Sequence, residues 1–113
     1  MSSKLFISKL ISKSSAILHS DGNKVYQELI DLSKPNQKIE LDFTGLDFCT
    51  TSFLNASIGA FFMNVPNAKS ILEFEGIDGK TSLKMKIAEV IELATNQSKR
   101  EIQSDINMNY HFA

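Results

Sequence analysis

The sequence has one cysteine, two histidines, no block of like charges and no long apolar run, and each shortage removes a class of function. Cys49 alone cannot close an internal disulfide, and metal centres built on several thiolates are excluded. His19 and His111 have no Cys, His or carboxylate partner at metal-ligand spacing, so no metal site is expected. Twelve Lys and Arg stand against thirteen Asp and Glu, interspersed, for a formal net charge of -1. That balance argues against nucleic acid and against an anionic membrane surface as partners. No apolar run approaches the roughly 20 residues of a membrane-spanning helix. The segment from Met1 to Lys13 mixes Ser and Lys too evenly with its apolar residues for a signal peptide, so a reducing cytoplasm is the expected location.

What is present suffices for one domain. A chain of 113 residues with 42% hydrophobic residues can bury a core without staples. No Pro/Gly/Ser-rich linker divides it, so residues 1–113 read as a single domain with its core over about 5–97 and a tail over 98–113. Leu5 to Ile11 reads as a first strand, and Ala16-Ile17-Leu18 as a brief partner strand. Ser20-Asp21-Gly22-Asn23 offers turn chemistry and a cap for a helix beginning near Asn23, which Lys34-Pro35 ends. Lys38 to Phe43 alternates polar and apolar without a fault, and a strand covered on both faces would not. Helices are therefore expected mainly on one face of a small, mostly parallel sheet. Thr50, Thr51 and Ser52 precede an apolar run from Phe53 to Met63 and look like the cap of a second helix. Ile71 to Glu75 reads as a further strand. Leu83, Ile87, Val90, Ile91 and Ala94 then give the stripe of a third helix. The tail, with alternating Ile102, Ile106, Met108, Tyr110 and Phe112, reads as an edge strand or a frayed end.

The chemistry-bearing residues do not assemble into an enzyme. Gly79-Lys80-Thr81 lies between a strand and a helix, but Phe74 occupies the place of the first glycine of a phosphate-binding loop. No Gly-x-Ser-x-Gly elbow marks a nucleophilic serine. Asp42 and Asp47 flank the Thr44-Gly45 turn without the acidic neighbours a Mg²⁺ site needs. Cys49, at the end of an apolar stretch, reads as a small buried hydrophobe. No catalytic residue, cofactor or metal is expected.

The stretch Ile39-Glu40-Leu41-Asp42-Phe43-Thr44-Gly45-Leu46-Asp47-Phe48-Cys49-Thr50-Thr51-Ser52-Phe53-Leu54-Asn55 resembles the central motif of STAS domains, the family of bacterial anti-sigma factor antagonists. In that family a strand and turn lead to an Asp-Ser-Ser-Gly-Leu segment whose second serine, at a helix start, is phosphorylated by a partner kinase. Laid on this chain without a gap, the family's Asp falls at Thr50, its phosphorylated serine at Ser52, its Gly at Phe53 and its Leu at Leu54. Thr50 and Phe53 depart from the pattern. Phe53 and the following Asn55-Ala56-Ser57-Ile58-Gly59 look instead like the divergent STAS-like domains of unknown function, as does Asp21-Gly22-x-Lys24-Val25. Those domains often accompany a histidine-kinase-type ATPase. The resemblance thus implies a STAS-like fold, a signalling role through protein-protein interaction, and phosphorylation at Ser52, or at Thr51 beside it.

The residues allow the same role on physical grounds. A hydroxyl at a helix start sits beside N–H groups without partners, where negative charge is favoured. From Thr44 through Asn64 the only charged side chain is Asp47, so this helix is either buried or covered by another protein. Thr50, Thr51, Ser52, Asn55, Gly59, Phe62 and Met63 are the expected partner-binding residues. The expected partner is a histidine-kinase-type ATPase or an anti-sigma-like serine kinase, with no nucleic acid and no membrane involved. Three other readings stand beside this one. The hydroxyls cap the helix and nothing more; the domain is a structural or homo-oligomerising unit without a phospho-switch; or the strand ends bind a small molecule or nucleotide.

Overall fold

A three-stranded, wholly parallel sheet forms the floor of the domain, with Ser2–Phe6 at one edge, Lys38–Asp42 in the centre and Leu72–Glu75 at the other edge. The computed structural model describes residues 2–111, with side chains described as far as Asn96. β1 (Ser2–Phe6), β3 (Lys38–Asp42) and β5 (Leu72–Glu75) pair with Ser3, Ile39 and Leu72 in one row and Leu5, Leu41 and Phe74 in the next apolar row. Between them runs the row Lys4, Glu40 and Glu73. Because successive strand residues alternate sides, Leu5, Ile39, Leu41 and Leu72 enter the core while the charged row faces away from it. The helices cover the apolar side, as the alternation of β3 requires.

The first strand ends earlier than its apolar run. Ile7–Ile11 forms a short helix, α1, with Ile7 and Ile11 buried. Ile7, Leu10 and Ile11 stand at helical spacing, and a short apolar run satisfies either period until packing decides. Ser12, at φ 57°, closes it in the left-handed region. β2 (Ser15–Ala16) pairs not with β1 but with β4 (Phe48–Cys49), in a separate two-stranded parallel ladder.

α2 (His19–Leu32) begins before the expected turn at Ser20 to Asn23. Asp21, in its first turn, is buried and paired with Lys13 Nζ at 2.8 Å, with the helix start also favouring the carboxylate. Gly22 is inside the helix for a steric reason. A Cβ there would lie 2.6 Å from both Ala56 Cβ and the Phe53 carbonyl oxygen, closer than packed atoms allow. The glycine permits a helix crossing; it does not make a turn.

The partner in that crossing is one continuous helix of three parts: α3 (Thr51–Leu54), a π-helical segment (Asn55–Gly59) and α4 (Ala60–Asn64). Phe53, Leu54, Ile58 and Phe61 are fully buried in the core with Val25, Leu29, Ile87 and Val90. The buried Ser57 hydroxyl donates to the Phe53 carbonyl at 2.9 Å, so the polar group carries no unmet bond inside. After Pro66 and Asn67, a single turn, α5 (Ala68–Ile71), leads into β5.

α6 (Thr81–His111) closes the layer, burying Ile87, Val90 and Ala94 as the stripe predicts. Its helical bounds take in residues 98–111, where an edge strand or a frayed end was expected; the side chains beyond Asn96 lie outside the described residues. Among the described residues no helix is long and apolar enough to cross a membrane.

Candidate functional site

The site is built at the start of α3, where the chain leaves the β2–β4 ladder. Thr50 is the N-cap, with extended backbone at φ -90° and ψ 158°. Its amide donates to the Ala16 carbonyl at 2.9 Å and its hydroxyl to the Ile17 carbonyl at 2.8 Å. The same hydroxyl accepts from the Phe53 amide at 3.1 Å, and the Thr50 carbonyl accepts from the Leu54 amide. One threonine therefore does the work of the cap, worth about 1 kcal/mol, and also ties α3 to the chain ahead of α2.

That division separates the three hydroxyls. Thr50 is half-buried and its oxygen is committed, whereas Thr51 and Ser52 are exposed and no hydrogen bond engages either side chain among the described residues. Both free hydroxyls sit in the first turn, where the helix dipole favours negative charge. The position that the family's Asp would occupy is here a hydroxyl that both donates and accepts, which a carboxylate cannot do.

Other expected site residues fall into different surroundings. Asn55 is exposed, one turn beyond Thr51. Gly59 is buried beneath α6; a Cβ there would come within 3.2 Å of Val90 Cγ1. Asn55, Gly59 and Met63 line a groove of about 460 Å³ closed on its far side by Val90, Leu93 and Ala94. Phe62 turns the other way, half-buried toward Leu72, Phe74 and Ile91. The helix thus does not offer one bare face from Thr50 to Met63. α2 and α6 flank it, which is why its middle carries no charge, and only the first turn and Asn55 stand open.

Residues that sequence reasoning did not assign to the site surround that turn. Ile17, Leu18 and Phe48 are large apolar side chains left exposed, with Phe48 at 53%. Lys86 of α6 places its ammonium 5.2 Å from the Phe48 ring centroid and 3.2 Å from the Cys49 carbonyl oxygen. Ladders of two residues are too short for alternation to reveal which side chains face out. Cys49 is buried; desolvation pushes its thiol up to about 11, with Lys80 and Lys86 only partly opposing this, so it stays protonated at neutral pH. On the charged face of the sheet, register brings Glu40, Glu73 and Glu75 together with carboxylate oxygens within 4.8 Å of one another. Lys38 bonds Glu73 there at 3.2 Å, and the group has no part in the α3 start.

A one-sided parallel sheet under helices, with a capped helix start presenting free hydroxyls beside an apolar patch, defines a small α/β domain. Residues 21–81, from the buried Asp21 to the first residue of α6, match the family model described as a STAS-like domain of unknown function (DUF4325), and the chain belongs to that family. No curated protein and no solved structure matches it.

Proposed function

We propose that this domain is a non-enzymatic cytoplasmic signalling module that docks a partner protein at the start of α3, and that phosphorylation of Ser52 loosens the docking. The partner is a histidine-kinase-type ATPase or an anti-sigma-type serine kinase, and Thr51 is the neighbouring acceptor. The observation that carries this reading is the split among the hydroxyls. Thr50 alone supplies the side-chain cap, and Thr51 and Ser52 stand exposed with no side-chain hydrogen bond among the described residues. Exposed Ile17 and Phe48 beside them supply apolar area of the kind a protein partner covers. A phosphate adds roughly two negative charges and firmly held water to that surface, which a docked chain would have to displace.

The test is retention of a purified histidine-kinase-type ATPase by wild type, Ser52→Ala and Ser52→Asp, with the site of phosphate transfer mapped by mass spectrometry. Wild type and Ser52→Ala should retain it and Ser52→Asp should not. Equal retention of all three removes Ser52 from the mechanism. A self-association reading draws on Leu93, 60% exposed on α6 beside the groove. Light scattering of wild type against Leu93→Glu decides it, since a monomer at every concentration ends that alternative.

A further inference from the structure

The β2–β4 ladder sorts its side chains by alternation. Ala16 and Cys49 turn into the core, while Ile17 and Phe48 remain outside, 47% and 53% exposed. Two lysines of the segment that opens α6 reach the same stretch. Lys80 Nζ donates to the Leu46 carbonyl at 3.4 Å, and Lys86 Nζ to the Cys49 carbonyl at 3.2 Å. Both also act on the Cys49 thiol between them, against the dominant effect of burial. Neither ammonium has a carboxylate partner among the described residues. They border an open cleft of about 450 Å³ in which Asp47 is the one carboxylate lining the wall. A chain of net charge -1 therefore gathers two cations against one anion around an exposed aromatic ring.

We infer that the docking surface runs from Thr51 and Ser52 across Phe48 into the cleft between Lys80 and Lys86, and that it takes an acidic segment of the partner, an apolar side chain flanked by carboxylates. The inference rests on the docking reading above and supplies the chemistry of its partner. Phe48 and Ile17 need apolar cover, which a free phosphate would not give, and Asp47 opposes a compact dianion more than it opposes carboxylates spaced along a chain. The assignment also gives the switch its sign. A phosphate on Ser52 would stand at the edge of this surface and repel an acidic segment by charge.

Three probes test it on the intact chain by amide chemical-shift titration: a short synthetic peptide of two leucines flanked by glutamates, its lysine-flanked counterpart, and inorganic phosphate. The glutamate peptide should give saturable shifts confined to residues 46–52 and 80–86. That binding should weaken about three- to tenfold in the Lys80→Gln/Lys86→Gln variant, the expected size for two exposed ion pairs. Added salt on the unaltered protein should weaken it too, a readout that does not depend on any variant folding. The inference is overturned by equal binding of the lysine-flanked peptide, by glutamate-peptide shifts that are absent or lie elsewhere, or by phosphate saturating the cleft where the peptide does not. A Ser52→Asp arm keeps the two ideas apart. Peptide binding unaffected by that change leaves the acidic surface standing and ends the switch, whereas a working switch with no peptide binding ends this inference alone.

Discussion

The first turn and the middle of the helix from Thr51 to Asn64 are equally free of charge, yet they are opposite environments. The middle, Ala56 to Gly59, lies between α2 and α6, with Gly22 brought against Ala56 and Val90 against Gly59. The first turn has Thr51 and Ser52 in solvent and an exposed aromatic beside it. Lack of charge in the middle reports burial by the domain itself; at the start it reports a surface left open. The two are told apart by neighbours, not by composition.

The largest effect is expected at the helix crossing. Helix propensity alone would make Gly22→Ala stabilising by up to about 1 kcal/mol. Because the added methyl meets a backbone oxygen and Ala56 Cβ at 2.6 Å, the variant should instead lose about 3 kcal/mol. Chemical denaturation decides the sign, and a gain in stability would mean that the crossing is looser than described.

Polar groups extend the same contrast between committed and free. Asp42 is buried, which pushes its carboxyl up. The Thr44 hydroxyl and amide and the Lys4 ammonium outweigh that and hold it below the ordinary carboxylate range. Such a group stabilises the fold above its unfolded pKa of about 3.9, and that contribution is lost as pH falls through the lower folded value. Asp42→Ala should cost about 2 kcal/mol at neutral pH, and its deficit against wild type should narrow below pH about 4. A deficit unchanged with pH would assign the loss to packing.

The smallest effects sharpen the site itself. Thr50→Ala should cost about 1 kcal/mol for the lost cap, while Ser52→Ala should stay within about 0.5 kcal/mol of wild type. Thermal melts of the two variants check this. Equal losses would show that Ser52 shares in the cap and weaken the case for its being held free.

Much of the fold was legible in residue order. The alternation from Lys38 to Phe43 predicted β3 and the one-sided sheet, and the stripe from Leu83 to Ala94 predicted the buried side of α6. Pro35 and Pro66 marked the ends of helices. The structure departs from expectation where short segments carry a local pattern that fits two structures. Ile7 to Ile11 could be strand or helix, and Ser20 to Asn23 carried turn residues that a buried ion pair and a close crossing place inside α2. The site was legible as three hydroxyls before an apolar run, but not as one committed cap and two free groups. Nor were Gly59 and Phe62 separable from Asn55, since each faces a different neighbour brought from a distant part of the chain.

By itself the order of residues settled the class of the domain, its one-sided sheet and the position of a hydroxyl-bearing helix start, because periodicity and capping act within a few residues of one another. Tertiary packing alone sets which uncharged side chains are covered, which hydroxyl is spent on Ile17, and that Lys80 and Lys86 meet beside Phe48. Those outcomes depend on contacts between residues more than thirty positions apart, and no local pattern records them.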